Sequence, residues 1–251
     1  MEFRFDHQVI AVNLPDRAAL ESVVAARLSA RQGFALATIN LDHLVKLARS
    51  DRFRRAYAAQ DLVVADGNPI IWLSRLAGRP VALVPGSDMV VPLARLAVRG
   101  GVAVALVGST PDALHAAAQR LQTLVPGLRI VLTLSPPFGF DPEGPAAEAI
   151  MAEVVAAGAG LCLLALGAPK QELFAARARI IAPHVGFVSI GAGLDFLAGR
   201  QRRAPVWMRR LALEWLWRLA LDPARLLPRY AACAAVIPGQ MVAALRLRLR
   251  G

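Results

Sequence analysis

Short apolar runs alternate with longer stretches of helical spacing along most of this chain. The runs are Val9–Val12, Phe34–Ile39, Leu62–Ala65, Gly101–Val107, Leu128–Leu132, Leu161–Leu166 and Val185–Ile190. Most carry no charge, which is how a strand buried on both faces reads. Between them the spacing predicts helices over Arg17–Arg31 (after the capping Asp16), 41–60, Ile70–Ala77 (ended by Gly78), Met89–Arg99, Pro111 to about Leu124, Glu143–Ala157 and onward from Pro169 to Ile181. Residues 79–90 read as a loop around Pro85-Gly86-Ser87-Asp88. Strand and helix alternate as far as Gly193. The expectation is therefore an α/β, Rossmann-like, mostly parallel sheet with helices on both faces.

Right-handed crossovers bring the carboxyl ends of such strands to one edge, where ligands collect. Those ends are Thr38/Asn40, Asp66/Gly67, Gly108/Ser109, Gly167 to Glu172 and Gly191 to Asp195. The stretch Leu161–Glu172, LCLLALGAPKQE, is the most informative. A buried strand stops at Gly167, Pro169 fixes a backbone angle, and a helix opens with Lys170, Gln171 and Glu172. A helix N-terminus offers free N–H groups and the positive end of its dipole, a seat for phosphate. Gln and Glu can read hydroxyls and Lys can meet an anion. The same residues also fit an ordinary βα turn with a solvated start. Asp66 follows an apolar strand directly, where a partly desolvated carboxylate suits a general base. The competing role is a cap for the helix near Pro69.

Charge changes the picture at one end. The chain of 251 residues carries a formal +11, and residues 200–251 hold eleven arginines against only Glu214 and Asp222. The body, 1–199, is nearly neutral. The predicted organisation is an α/β catalytic domain over 1–199 and a basic helical appendage over 200–251 facing an anionic partner: nucleic acid, lipid head groups or a diphosphate. Arg210, Glu214 and Arg218 are spaced as a surface ion-pair ladder. Arg202 and Arg203 suit phosphate or lipid head groups. Trp207, Trp215 and Trp217 are expected to pack the appendage onto the body. No signal peptide is visible in MEFRFDHQVIAV. Val154–Pro169 is interrupted by glycines and Tyr230–Leu245 by Pro238 and Gly239, so neither reads as a spanning helix. The second suits a membrane surface.

Cys162 and Cys233 read as core thiols rather than a disulfide or metal pair. No HExxH, Cys/His cluster or Asp-x-Asp is present, so no metal and no cofactor is expected. GxGxxG and the Walker pattern are also absent, against a dehydrogenase, an epimerase or an NTPase.

Five segments together, TINLDHL, VVADGNPIIWLSRLAG, LLALGAPKQE, GAGLDFLAGRQRRAPVWMRRLALEWLWRL and DPARLLPRY, resemble the WecG/TagA/CpsF family of bacterial glycosyltransferases from about Val9 to Tyr230. The resemblance implies an inverting, metal-independent transfer from a UDP-sugar to an undecaprenyl-diphosphate-linked saccharide, at the cytoplasmic face of the membrane. It makes Asp66 the base. It makes Thr38, Asn40 and Gln171 the residues that hold the donor sugar and line the reaction centre. Gly108, Gly139, Gly167 and Asp195 would contact UDP, with Pro169 and Glu172 completing the binding set. Arg218, Arg225 and Arg229 would meet the diphosphate from an appendage closing over the site. The chain departs from the family pattern in ALVPGSD, where an Arg often precedes the Gly near Gly86 and Arg79 is the candidate substitute. It also departs at Leu194, where Phe is usual, and at Pro228, where an arginine often stands. The implied partners are the UDP-sugar, the lipid-linked acceptor and an anionic membrane surface, with no nucleic acid. The donor sugar and oligomeric state stay open, a homo-oligomer among the options. The alternative is a non-catalytic α/β protein whose arginine tail holds nucleic acid or anionic lipid.

Overall fold

A computed structural model describes residues 1–201 and 203–250; of Arg210 only the backbone is described. An antiparallel hairpin, β1 (Glu2–Phe5) and β2 (Gln8–Ala11), precedes α1 (Arg17–Ser29). The main sheet then follows, from β3 (Phe34–Ile39), α2 (Leu41–Arg49), α3 (Asp51–Ala58), β4 (Leu62–Ala65), α4 (Asn68–Leu76), α5 (Gly86–Arg99), β5 (Ala103–Gly108), α6 (Pro111–Leu124) and β6 (Ile130–Leu134). It is completed by α7 (Pro145–Ala156), β7 (Ala159–Ala165), α8 (Lys170–Ile181), β8 (Gly186–Ser189) and the short α9 (Gly193–Leu197). The appendage is α10 (Val206–Arg210), α11 (Glu214–Leu221) and α12 (Pro223–Leu249). The six strands run parallel in the order β4-β3-β8-β7-β5-β6.

The sheet forms because its residues alternate between two apolar layers. Leu36, Val64, Leu106, Leu163 and Val188 face α1, α5, α6 and α9. Ala35, Ala105, Cys162, Leu164 and Phe187 face α7 and α8 on the other side. Ala37, Ile39, Val63 and Ala65 meet α2, α3, α4 and the hairpin. β3, β4, β5 and β8 are buried along their whole length. Each large side chain withdrawn from water in this way contributes roughly 1.5–3 kcal/mol. Cys162 and Cys233 are buried free thiols, as expected.

Four expectations are corrected. The loop read over 79–90 ends at Pro85, because α5 already begins at Gly86. Val9–Val12 is not a strand of the parallel sheet: Gln8–Ala11 pairs with Glu2–Phe5 in the separate hairpin, through a turn with Asp6 at φ 49°. The stretch 41–60 is not one helix. Ser50 interrupts it and caps α3, accepting from the Phe53 N–H at 3.2 Å. Tyr230–Leu245 is not interrupted: α12 runs 27 residues through Pro228 and Pro238. By length and composition it is the one helix among the described residues that could cross a membrane. Its Cys233, Ala244 and Leu247 nevertheless join the core formed by α2, α3, α4 and the hairpin.

Candidate functional site

All six strands end on one edge. Adjacent strands are ~4.8 Å apart, so the edge from β4 to β5 spans about 19 Å. One end of it is built around Asp66, directly after β4. Asp66 is half-buried, and Gly67, not Asp66, caps α4 with no side-chain bond, so the capping role is ruled out. Its main-chain N–H donates to Ile39 O at 2.8 Å, tying it to the neighbouring strand end. The Thr38 hydroxyl donates to its carboxylate at 3.4 Å, and the Gly86 N–H at the start of α5 donates as well. Glycine at 86 eases this approach: a Cβ there would lie 3.1 Å from Thr38 Cγ2 and 3.2 Å from Ser189 O, so its neighbours would have to shift. Burial pushes Asp66 up to about 6. The charge of Arg218, the two hydrogen bonds and the helix end hold it down, and Glu214 pushes it up again.

Thr38 is fixed from below. Its carbonyl accepts from Tyr57 Oη at 2.5 Å and lies 2.8 Å from His43 Nδ1, which also meets the Tyr57 hydroxyl. His43 is buried and its pKa falls to about 4 through burial and the charge of Lys46, so it is neutral near pH 7. Asn40 caps α2, its side chain accepting from the His43 N–H at 3.1 Å, and stands beside Gly67.

Gln171 links β8 to β7. Its Oε1 accepts from the Gly191 N–H at 3.2 Å and its Nε2 donates to Glu172 Oε1 at 2.8 Å. Both residues are buried; Glu172 is fully so, raised to about 7 by burial, and does not sit at the solvent mouth. Gly167, at φ 71°, and the cis Ala168–Pro169 bond shape the turn before them. That turn is held by Lys46 Nζ, which donates to Ala168 O at 3.0 Å and pairs with Asp42 at 2.7 Å.

At the β5 end an open cleft of about 390 Å³ is bordered by Gly108, Ser109, Gly139, Lys170 and the loop around Phe138, which stands fully exposed. Gly108, at φ 113°, passes so close to β7 that a Cβ would lie 2.4 Å from Ala165 O. Ser109 donates to Asp195 Oδ1 at 2.5 Å, tying the β5 turn to α9. Thus Gly108 and Gly139 line this cleft, Asp195 is tied to its edge through Ser109, and Asp66, Thr38 and Asn40 stand together at the β3 and β4 strand ends.

The appendage contributes unevenly. Arg218 is near enough to Asp66 to lower its pKa, and its guanidinium lies 5.4 Å from the Phe196 ring centroid. It pairs with Glu214 at 2.8 Å, one rung of the expected ladder. Arg229 pairs with Asp42 at 2.9 Å, and Arg225 with Asp222 on its own helix. Burial pushes Asp42 up, but the Lys46 hydrogen bond and the Arg229 charge outweigh it, leaving the carboxyl below its usual range. Arg203 pairs with Asp88 and lies over Phe196. Arg202 and the Arg210 side chain lie outside the described residues. Trp207 is more than half exposed and Trp215 is half exposed, so neither is buried against the body as expected, whereas Trp217 is half-buried; Trp215 meets the edge of Tyr230. Arg79, the candidate substitute for the missing loop arginine, stands near the hairpin, where its charge is felt by Glu2 and the Met1 amine.

Sequence reasoning placed Ser109 at the edge but missed its bond to Asp195, the His43–Tyr57 clamp and the Asp42–Lys46 pair. The last was readable, since the two residues stand four apart on one helix. Among the described residues no group of three or more His, Cys, Asp or Glu side chains is placed to hold a metal ion. Compared with known families, residues 8–251 match the sequence model described as Glycosyl transferase WecG/TagA/CpsF family.

Proposed function

The chain belongs to the WecG/TagA/CpsF family of glycosyl transferases, and on that premise we propose that it moves a sugar from a UDP-sugar to an undecaprenyl-diphosphate-linked acceptor. The family assignment makes it a glycosyltransferase of cell-surface polysaccharide synthesis. The observation that carries the finer reading is Asp66: a carboxylate at a strand end, pushed to about 6, bonded to Thr38 and faced by Arg218. It is mostly ionised at pH 7 yet basic enough to take a proton.

In this reading the nucleotide occupies the cleft beside Ser109, Gly139 and Lys170, and the sugar extends across Gln171 towards Thr38 and Asn40. An acceptor hydroxyl oxygen attacks the sugar's anomeric carbon from the side opposite UDP. The bond to the diphosphate oxygen breaks, its electrons leave with UDP, and the hydroxyl proton passes to Asp66. The anomeric centre inverts. Lys170 and the appendage arginines supply positive charge without a metal. The appendage holds the protein at the cytoplasmic surface of an anionic membrane, where the acceptor resides.

The test is transfer from a panel of UDP-sugars to undecaprenyl-diphosphate-linked acceptors, with EDTA present and the anomeric configuration read by NMR. Inverted product that disappears with Asp66→Asn is expected. Retained configuration, or full turnover by Asp66→Asn, contradicts the mechanism.

A further inference from the structure

The hairpin and the last turns of α12 enclose a second concavity, outside the crevice. Its volume is about 210 Å³, and its lining includes Phe3, Arg4, Ala244, Arg246, Leu247 and Arg250. Phe3, Ala244 and Leu247 are buried and form an apolar floor. Arg4, Arg246 and Arg250 supply the cations. Arg79 flanks the groove, close enough for its charge to lower the Glu2 pKa. Glu2 is the one acid in the lining, and Arg4 already engages it at 2.9 Å. Arg79, Arg246 and Arg250 form no ion pair among the described residues. Glu2 offsets one of these charges, and the remaining cations around the concavity repel one another, which a bound anion relieves.

The groove is small for a drug-sized ligand and suits a compact anion. Guanidinium forks favour phosphate, which accepts two parallel N–H bonds from each. Leu245 and Leu249 are exposed on the same end of α12, and Leu249 is 87% exposed. From Arg229, paired with Asp42 at the crevice, to Arg246 the helix advances roughly 26 Å. A phosphate held in the groove is therefore not the leaving diphosphate.

We propose that the groove between the hairpin and the end of α12 is a phosphate-group site, with Arg246 and Arg250 as its principal ligands and Arg4 and Arg79 flanking. The phosphate belongs either to a lipid head group or to a free anion, and the two sources separate by experiment.

The full chain is assayed for sedimentation with phosphatidylglycerol vesicles, using phosphatidylcholine vesicles as the blank, and for a thermal shift with inorganic phosphate and pyrophosphate. The groove variant is Arg246→Gln with Arg250→Gln. The control is Arg120→Gln with Arg129→Gln, which removes equal charge from the body. Each arginine near an anionic surface is worth about 1 kcal/mol, roughly fivefold, so the groove variant should bind on the order of 25-fold more weakly and the control far less so. Loss with vesicles alone assigns a lipid head group; loss with the free anions too assigns phosphate in general. Should the Gln pair not fold, Arg246→Lys with Arg250→Lys keeps the charge and loses the forks, and severalfold weaker binding is expected. Wild-type binding of neither probe, equal loss in groove and control variants, or undiminished binding by both the Gln and the Lys pairs overturns the proposal.

Discussion

Replacing Asp66 with asparagine should make the protein more stable while removing its activity. The folded state raises this carboxyl from an ordinary 3.8 to about 6. A raised carboxylate favours the neutral form. Its contribution to stability is therefore whole below about pH 4 and is lost as pH climbs through 6. The difference of about two pKa units corresponds to roughly 3 kcal/mol, an upper bound because the residue is only half-buried. Asparagine has nearly the same shape, keeps one oxygen to accept from the Thr38 hydroxyl or the Gly86 N–H, and never ionises. At pH 7.5 Asp66→Asn should gain about 1–3 kcal/mol, which for a chain of this size raises the melting temperature by about 2–10 °C. At pH 4 the two proteins should melt nearly together. Calorimetric scans of both proteins from pH 4 to 8 read this directly. A melting difference that is independent of pH, or a variant less stable at pH 7.5, refutes the burial argument.

Four further outcomes follow from the same geometry. Turnover should rise with pH through an acid limb near 6, in pH–rate profiles of kcat. Arg218→Gln removes the charge that lowers Asp66, so that limb should move to higher pH and kcat should fall on the order of 100-fold; an unmoved limb places Arg218 elsewhere. Truncation after Gly199 exposes the surface covered by Leu226 and Leu247, costing roughly 3–6 kcal/mol in chemical denaturation while vesicle sedimentation drops; an unchanged midpoint would show α12 is not part of the core. Gly108→Ala strains a backbone at φ 113° and drives a Cβ against Ala165 O, so it should unfold at clearly lower denaturant than wild type.

The parallel sheet was legible because its strands are buried on both faces. FALATI, LVVA and LCLLAL have no other reading once helices are spaced between them. The hairpin was not, since the Asp6-His7 turn has no glycine and EFRF alternates too briefly to stand out. Ser50 could have been read as a cap, but the helical spacing on either side of it masks the break. The length of α12 was hidden by its prolines. Each removes one N–H, while the stripe through Cys233, Ala244 and Leu247 still packs on the body. At the site, Asp66, Thr38 and Gln171 were legible as strand-end chemistry, but their bonding was not. That Gln171 is spent partly on Gly191 and Glu172, and Arg229 on Asp42, depends on contacts between elements far apart in sequence.

The central claim is a crevice built for a uridine diphosphate beside a carboxylate base. Its most direct test is the melting temperature of wild type and Asp66→Asn with UDP, UMP, ADP, NAD and a short single-stranded oligonucleotide, each with and without EDTA. A ligand that binds only the folded state raises it by mass action. The account predicts a rise with UDP in both proteins, larger than with ADP and unchanged by EDTA. No response to UDP, or a response to the oligonucleotide alone, would contradict it.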